Sequence, residues 1–257
     1  MIRSLYTAWT GMYNEQKRLD VISNNLANSA TVGFKKEGAT SQSFDDMLTI
    51  RARNNAEPNG GAVIGNMNLG VKVGEVYTDY TQGSVRETGN TYDLAIEGDG
   101  FFTIEYTDKS GAVTTRYTRA GEFTITKDGY IVTVDGQHLL GEGGVLQIPT
   151  DASEVVIDTD GAVYADRELI DYVRLSDFED YNYLKKFGET MYEPVKGAVE
   201  KEASGSVLQG YTEQSNVNVI NEMVNLIAIT RAYEANQRVI KSVDSLLEAD
   251  ATNIGKV

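Results

Sequence analysis

A search for side chains that could do chemistry finds one histidine and no cysteine among the 257 residues. The histidine, His138, stands in "DGQHLLG", directly after an Asp-Gly turn signal. The composition therefore excludes thiolate nucleophiles, Cys–His pairs and zinc sites built on several imidazoles. A Ser–His–Asp triad needs a single histidine, but the chain lacks the Gly-x-Ser-x-Gly motif. We expect His138 to lie in a loop or at a strand end, without a catalytic role.

One acidic segment, 158–168, is similar in composition to a calcium-binding loop. If Gly161 takes the place of the invariant glycine, Val156 falls at the first ligand position and Arg167 at the last. The last position needs a bidentate glutamate, so the match fails. A hairpin turn at Asp160-Gly161 explains the segment better. The glycines of "EGDGFF" and "GEGG" have neither the spacing nor the lysine of a phosphate-binding loop.

Two pairs of neighbouring carboxylates remain, Asp45 with Asp46 and Glu97 with Asp99. Paired acids can act as general acid and base. Neighbouring acids on a turn or helix surface are more often solvated, and nothing nearby in the sequence suggests otherwise. We therefore expect no catalytic residue, no cofactor, no metal site and no enzymatic activity.

The overall composition narrows the possible partners. A net charge of −15 argues against a nucleic-acid binder, whose surface would be basic. The 41% of hydrophobic residues suffices for a core, but no apolar run approaches the ~20 residues that membrane insertion requires. The first residues lack the apolar block and small-residue site of a secretory signal. We expect that any export proceeds without a cleaved signal peptide.

The middle of the chain has the alternation of β-strands. Phe102, Ile104 and Tyr106 alternate with polar residues in "FFTIEYT", and similar runs follow in "EFTIT" and "YIVTV". Asp-Gly pairs separate these runs and favour tight hairpins. We predict a compact antiparallel β domain over residues 90–194, and an α+β fold for the whole chain.

Both ends of the chain have helical heptads. At the N-terminal end, one column of residues is apolar and its companion column becomes polar in its second half; the columns are Leu5, Met12, Leu19 and Leu26, and Ile2, Trp9, Gln16 and Ser23. At the C-terminal end, an apolar column also has a partly polar companion; these are Val219, Leu226, Tyr233, Ile240, Leu247 and Ile254, and Met223, Thr230, Gln237, Asp244 and Ala251. The second pattern predicts a helix from about Val219 to Ile254, roughly 50 Å long at 1.5 Å per residue.

These patterns predict five segments. They are an N-terminal helix at 1–30, an elbow and extended linker at 31–89, the β domain at 90–194, a return linker at 195–218 and a C-terminal helix at 219–257. The linker "RARNNAEPNGGAVIGNMNLG" is predicted to be mobile in isolation. The terminal helices either pair as a coiled coil that assembles with other subunits, or are ordinary amphipathic helices packed on the domain.

A polar segment, "SNNLANSATVGFKK", follows the first helix and resembles the signature of the rod, hook and hook-associated proteins of the bacterial flagellum. The family pattern Asn-Asn-Leu-Ala-Asn followed by Thr-x-Gly-Phe-Lys is matched residue by residue, at Asn24, Asn25, Leu26, Ala27, Asn28, Thr31, Gly33, Phe34 and Lys35. The segments 88–104 and 208–240 resemble the entry to the β domain and the C-terminal segment of rod proteins. The resemblance favours the distal rod, with the proximal-rod paralogue or a hook-type axial protein as alternatives.

The resemblance implies a structural subunit that polymerises helically into the shaft that transmits torque from the motor to the hook. The terminal helices would pair into an inner layer. The partners would be further copies of the chain, neighbouring rod and hook proteins and a surrounding bushing. The location would be the extracytoplasmic basal body, reached by type III export. The β domain would form the outer layer.

The resemblance and the heptads together suggest an assembly interface. Its members come from both helices and from the segment after the first one: Leu5, Trp9, Met12, Leu19, Asn24, Asn25, Leu26, Asn28, Thr31, Gly33, Phe34, Lys35, Met223, Leu226, Tyr233, Ile240 and Leu247. Asn, Ser and Thr favour caps and turns, because their side chains compete for local backbone groups. We expect the segment to end the helix and to present Phe34, Lys35 and Lys36 to a neighbour.

Two alternatives have a different function. A secreted carbohydrate-binding or carbohydrate-active β domain with helical appendages has the same order of elements. A capping or scaffold protein would contact the axial structure only transiently. Removal of residues 219–257 would abolish assembly of a rod subunit but would leave ligand binding by a self-contained β domain intact.

Overall fold

The computed structural model describes residues 2–50, 63–108, 111–152 and 154–254, and these form two compact units. Unit 1 consists of Met1–Leu26, Glu37–Thr78 and Val219–Val257. Unit 2 consists of Ala27–Lys36 and Asp79–Asn218. The short segment 27–36 therefore packs with the β domain, although the residues on both sides of it belong to unit 1.

Unit 1 contains the two long helices and two β-ribbons. Helix α1 spans Ile2–Ala27, inside the predicted range 1–30, and helix α2 spans Val219–Ile254, the bounds that its heptads predict. None of the three prolines lies in either helix, so no proline interrupts the backbone hydrogen bonds of α1 or α2. Within the described residues, neither helix combines the length and the apolar character needed to cross a membrane.

The ribbons of unit 1 lie in the range that was predicted to be an extended linker. Their strands are β1 (Glu37–Ser43), β2 (Met47–Ile50), β3 (Val63–Met67) and β4 (Val71–Thr78), and β1 pairs with β4 and β2 with β3, both antiparallel. The prediction was wrong here because "EGATSQS" has no apolar alternation; backbone pairing with a distant strand makes it a strand. Within the segment that was predicted to be mobile, residues 63–67 form β3, and residues 51–62 lie outside the described residues.

Unit 2 consists of short strands. They are β5 (Val85–Glu87), β6 (Leu94–Glu97), β7 (Phe101–Thr107), β8 (Val113–Thr118), β9 (Phe123–Ile125), β10 (Ile131–Thr133), β11 (His138–Leu139), β12 (Val155–Ile157), β13 (Ala162–Ala165), β14 (Glu168–Tyr172), β15 (Leu175–Phe178), β16 (Leu184–Phe187), β17 (Met191–Pro194), β18 (Glu200–Glu202), β19 (Ser206–Gln209) and β20 (Tyr211–Glu213), with a 3-10 turn at Tyr181–Tyr183. Three of them, β18 to β20, fall in the predicted return linker, which is therefore structured.

All pairings within unit 2 are antiparallel, as predicted for the central domain. The largest sheet runs β16-β17-β8-β7-β11-β10-β9, and β15 and β18 attach to it through β7. Strand β19 pairs with β6, and β20 pairs with β5. The final strands of the unit are thus paired with its first strands, which closes the unit on itself.

The Asp-Gly turns occur where the sequence predicts them. Gly129, Gly136 and Gly161 have φ between 82° and 87°, which suits glycine in tight turns. Gly161 lies in the hairpin between β12 and β13, where its amide donates to the Asp158 carbonyl at 2.9 Å. His138 lies in β11 and its ring packs edge-on to Tyr130. The turns and His138 therefore have structural positions that the sequence alone indicated.

The core of unit 2 has two parts. The larger is aliphatic and aromatic, and includes Phe102, Ile104 and Phe123. The smaller is mainly aromatic: Phe101 and Tyr192 lie at its centre, with ring centroids 5.5 Å apart. Such burial on both sides of β7 is the main stabilising contribution to the unit.

Candidate assembly surfaces

The second asparagine of the signature segment binds backbone within unit 1. The Asn25 amide nitrogen donates to the Glu37 carbonyl at 2.7 Å, and the Glu37 N–H donates back to the Asn25 side-chain oxygen at 2.9 Å. Asn25 is fully buried, so water cannot reach its side-chain amide. The two bonds therefore give hydrogen-bond partners to polar groups that would otherwise have none. The last turn of α1 is in this way fixed to the first residue of β1. Asn24, its neighbour, is exposed.

The chain then turns into unit 2. The Thr31 amide and hydroxyl donate to the backbone and side-chain oxygens of Asn28, both at 3.2 Å. Gly33 follows with φ of 69°, and a Cβ there would lie 2.3 Å from the Ala120 nitrogen. Only glycine fits both the backbone conformation and the space. Its amide donates to the Glu213 carbonyl at 2.8 Å.

Phe34 and Lys35 point into the interior of unit 2. Phe34 is 0% exposed, and the Lys186 ammonium lies 3.9 Å from the centroid of its ring. Lys35 is 1% exposed; its ammonium donates to the Glu213 carboxylate at 2.6 Å and to the Thr81 carbonyl at 2.9 Å. Burial holds the pKa of Lys35 below its ordinary value, and the Glu213 carboxylate opposes that effect.

Glu213 also binds a second cation. The Arg119 guanidinium approaches its other carboxylate oxygen at 3.3 Å and donates to the Gly98 carbonyl at 2.8 Å. Lys35, Arg119 and Glu213 are all nearly inaccessible to water. A buried carboxylate between two cations avoids the cost of an unpaired buried charge. Glu213 and Arg119 were not predicted from the sequence, because neither lies in a pattern that predicts contact with residues far away in the chain.

The prediction that Phe34 and Lys35 are presented to a neighbouring subunit is therefore wrong. Both side chains are enclosed by their own chain, since "GFKK" packs against Ala120, Arg119 and strand β20. The phenylalanine supplies buried apolar area, and the lysine neutralises a buried acid. Lys36 is partly buried, and its amide donates to the Asn216 side-chain oxygen at 2.7 Å.

Helix α1 is buried on one side and carries exposed aromatic residues on the opposite side. Its buried side includes Ala8, Asn14 and Ile22, and the predicted column Leu5, Met12, Leu19 and Leu26 is half-buried beside it. Trp9, Gln16 and Ser23 of the predicted companion column face solvent. We call Tyr6, Trp9 and Tyr13 the aromatic stripe; all are about half exposed, and the rings of Trp9 and Tyr13 stack with centroids 6.0 Å apart. The stripe lies opposite the buried side.

Helix α2 has the same two-sided character in its first half. Its buried side begins at Glu222 and includes Ile229 and Val243, flanked by the half-buried column Leu226, Tyr233 and Ile240. The predicted companion column, which contains Met223, lies one residue after each position of the buried side and is largely exposed. On the opposite side, Ile220, Met223, Val224 and Ile227 are all at least half exposed, and we call them the aliphatic stripe. Leu247 is also exposed.

The helices come close at one place that the structure documents. A Cβ built on Gly11 would lie 3.0 Å from the side-chain nitrogen of Asn236. Glycine thus permits a close approach of α1 to α2 there. A coiled coil along the full length of the two helices stays a prediction.

The charge is divided unequally. Unit 2 carries 26 Asp and Glu against 13 Lys and Arg, a net charge of −13, whereas unit 1 carries 12 against 10, a net charge of −2. Like charges disfavour close association of identical surfaces. The surfaces of unit 1 are therefore better suited to contact with another copy than those of unit 2.

Three family models match the chain. "Flagella basal body rod protein" matches residues 5–35, "Flagellar hook protein FlgE/F/G D1 domain" matches 95–165, and "Flagellar basal body rod FlgEFG protein C-terminal" matches 208–254. The chain is 36% identical to the flagellar basal-body rod protein FlgG of Bacillus subtilis, over 96% of this chain and 97% of the relative. It belongs to the flagellar basal-body rod protein family.

Further relatives agree with this assignment. The FlgG protein of Agrobacterium fabrum is 36% identical over 98% of this chain and 100% of its own length. The FlgF protein of Mesorhizobium japonicum is 28% identical, over 98% of both chains. As a member of the family, the chain is a structural subunit of the flagellar rod, is located in the basal body, and assembles there with other rod and hook proteins.

The family models match three parts of the fold. The matched ranges include α1 with the signature segment, the strands from β6 to β13, and the passage from β19 through α2. The aromatic and aliphatic stripes lie in the first and last of these ranges. The buried group around Lys35 and Glu213 joins those same two ranges within unit 2.

Proposed function

We propose that this rod protein polymerises helically through the two stripes of unit 1, forming the shaft that transmits torque from motor to hook. The observation that carries the proposal is the exposed apolar stripe on each terminal helix, opposite its buried side. A helix that is buried on one side and exposes apolar residues on the other is suited to burial between two layers. The aromatic stripe and the aliphatic stripe each extend over eight residues, about 10 Å of helix, so that they match in length.

The occupant of each stripe is a further copy of the chain. Contact between an aromatic and an aliphatic surface buries large area without burying charge, and the near neutrality of unit 1 avoids strong repulsion between copies. One surface meeting a different surface of the next copy is a heterologous contact, and such contacts generate open helical polymers. The terminal helices then form an inner layer and unit 2 an outer one, next to a surrounding bushing.

Two finer assignments follow the sequence resemblance. The signature favours the distal rod over the proximal rod, and the family resemblance implies export through the type III apparatus without a cleaved signal. Antibody labelling of purified basal bodies tests the first assignment by the position of the label along the rod. Sequencing the N-terminus of the assembled protein tests the second, because the same N-terminus as in the protein before export is expected.

The single tryptophan provides the test of polymerisation. Trp9 is half exposed in the monomer, so its emission should shift to shorter wavelength when a second copy covers the aromatic stripe. Purified full-length protein is concentrated stepwise, and emission, sedimentation and electron microscopy are recorded together. Filaments that form with a parallel emission shift support the proposal. Filaments with unchanged emission would show that the aromatic stripe is not the contact.

A further inference from the structure

The chain passes between the two units four times. The passages are the peptide bonds between Leu26 and Ala27, Lys36 and Glu37, Thr78 and Asp79, and Asn218 and Val219. Torque that enters through the terminal helices must reach the backbone of unit 2 at these positions. The residues of unit 2 next to them are therefore the first to take up that load.

Three of these passages are bound to one another by a ring of hydrogen bonds inside unit 2. The Asp79 amide donates to the Lys36 carbonyl at 2.8 Å. The Lys36 amide donates to the Asn216 side-chain oxygen at 2.7 Å, and the Asn216 side-chain nitrogen donates to the Asp79 carbonyl at 2.8 Å. Each passage thus bonds to both of the others.

A second layer of bonds lies directly behind the ring. The Lys35 ammonium binds the Thr81 carbonyl and the Glu213 carboxylate, and the Gly83 amide donates to the same carboxylate oxygen at 2.9 Å. Arg119 completes this layer and lies next to β8, a central strand of the main sheet. Bonds from all three passages therefore converge on one buried carboxylate.

The passage after Leu26 is tied to the same group. Gly33 donates its amide to the Glu213 carbonyl at 2.8 Å, within seven residues of the end of α1. To separate any one passage from the others, the chain would have to break ring bonds and expose a buried ion pair. Leaving a buried charge unpaired is strongly unfavourable, so local opening at this place is resisted.

We propose that this group is a junction clamp that makes the chain passages take up load as one unit, so that torque is shared among them. Its members are Lys35, Lys36, Asp79, Thr81, Glu213 and Asn216. The inference rests on the proposed function, because only a polymer under torque loads these passages. The clamp lies entirely within unit 2.

Asn216 distinguishes the clamp from ordinary core packing. Its side chain is half-buried and lies outside both hydrophobic clusters, and its partners are Lys36, Asp79 and Thr81, which all belong to the other passages. Asn216→Ala therefore removes the cross-links and leaves the apolar core intact. Ser176→Ala is a matched control, since it removes buried hydroxyl bonds to Thr103 and Glu200 in the main sheet.

Hydrogen exchange of the purified full-length protein is the first test. Asn216→Ala deletes the acceptor of the Lys36 amide, but the Asp79 amide bonds to the Lys36 carbonyl and not to Asn216. A clamp that acts as a unit predicts several-fold faster exchange at both amides, whereas Ser176→Ala leaves both unchanged. Faster exchange at Lys36 alone would overturn the proposal.

The second test measures load in cells whose chromosomal gene carries each variant. Basal bodies are counted by electron microscopy, and loss of flagella is then measured under increasing shear. We expect Asn216→Ala to assemble basal bodies in normal number but to lose flagella at shear that wild type and Ser176→Ala withstand. Normal assembly with wild-type shear resistance would overturn the clamp alone. Absence of the wild-type protein from the rods of these basal bodies would instead overturn the proposed function.

Discussion

The two units of this rod protein differ in where they place aromatic side chains and charges. Unit 2 encloses Phe34, Phe101 and Tyr192 completely and carries nearly all of the net negative charge. Unit 1 is almost neutral and leaves Trp9 and Tyr13 half exposed on α1. Unit 2 also exposes apolar residues, but on separate strands and turns rather than along one helix face.

The chain must both fold stably and bind further copies of itself, and the difference between the units assigns one requirement to each. A unit whose large side chains are satisfied internally is stable by itself, and its charge keeps copies apart. A unit with apolar helix faces left open is completed by another copy. The comparison suggests that unit 2 is built for intramolecular stability and unit 1 for contact between subunits, and each part of that contrast is testable.

The largest expected effect is on assembly. Trp9→Glu places a charge in the centre of the aromatic stripe, and burying it against a neighbour without a partner should weaken assembly about a hundredfold or more. Sedimentation of the purified protein measures the loss, and circular dichroism checks that the monomer stays folded. Val113→Glu is the control, because Val113 is 60% exposed on β8 of unit 2. Equal losses in both variants would contradict the division between units.

The next effect is on stability. Phe34→Ala removes a fully buried ring and should lower the free energy of unfolding by about 3–5 kcal/mol. Tyr13→Ala removes a half-exposed ring from unit 1 and should change it by about 0.5 kcal/mol or less in the monomer. Urea denaturation measures both. A loss below about 1 kcal/mol for Phe34→Ala would mean that its site collapses around the deletion.

A smaller effect is expected within unit 1. Asn25→Ala deletes both bonds to the Glu37 backbone and should lower stability by about 1–3 kcal/mol. Its signature is faster hydrogen exchange at the Glu37 amide, with the amides of the unit 2 core unaffected. Ser23→Ala, an exposed site two residues earlier, serves as the control. Protection at Glu37 that survives the substitution would show that α1 does not need Asn25 to hold β1.

The smallest effect concerns acid stability of unit 2. Burial raises the pKa of the Asp177 carboxyl, but hydrogen bonds from Lys201, Tyr181 and the Phe178 amide outweigh it and hold the pKa below its ordinary value. The unfolded chain then binds more protons, so this contribution is present above about pH 4 and is lost as the pH falls through the folded-state pKa.

Asp177→Asn should therefore make the acid loss of stability shallower, by about 1 kcal/mol or less between pH 5 and pH 2. Lys201→Met removes one of the groups that lower the folded-state pKa of Asp177, which brings that pKa closer to the unfolded value, so the acid loss should become smaller. Urea midpoints measured across this range test both variants. Identical pH profiles for wild type and Asp177→Asn would show that the ion pair does not contribute to acid stability.

Short-range patterns predicted much of the fold. The heptads placed α2 at its observed bounds, and the Asp-Gly pairs marked turns at Gly129, Gly136 and Gly161. The same patterns left two features undecided. A heptad column identifies an apolar side of a helix but does not show whether that side is buried within the chain or left exposed, as it is at Trp9. Strand β1 has no alternation to recognise and depends on pairing with β4.

The signature segment shows the same limit at single residues. Its resemblance indicated a flagellar axial protein, and the relatives agree. The side-chain directions of Phe34 and Lys35 were not readable from their types, because an aromatic ring and a lysine at a turn suit either a neighbour or the interior. Lys35 is bound by Glu213 and the Phe34 ring lies beside Lys186, and both of these partners lie far along the chain.

The sequence by itself determined the local conformations: two long helices, tight hairpins, an antiparallel β domain and the family. Each depends on residues within one or two turns of one another, where periodicity, turn propensity and motif spacing act directly. Tertiary structure alone decided which helix sides are buried, and it brought Lys36, Asp79 and Asn216 together. Those contacts join residues separated by as many as 180 positions, so they exist only once the strands between them have paired.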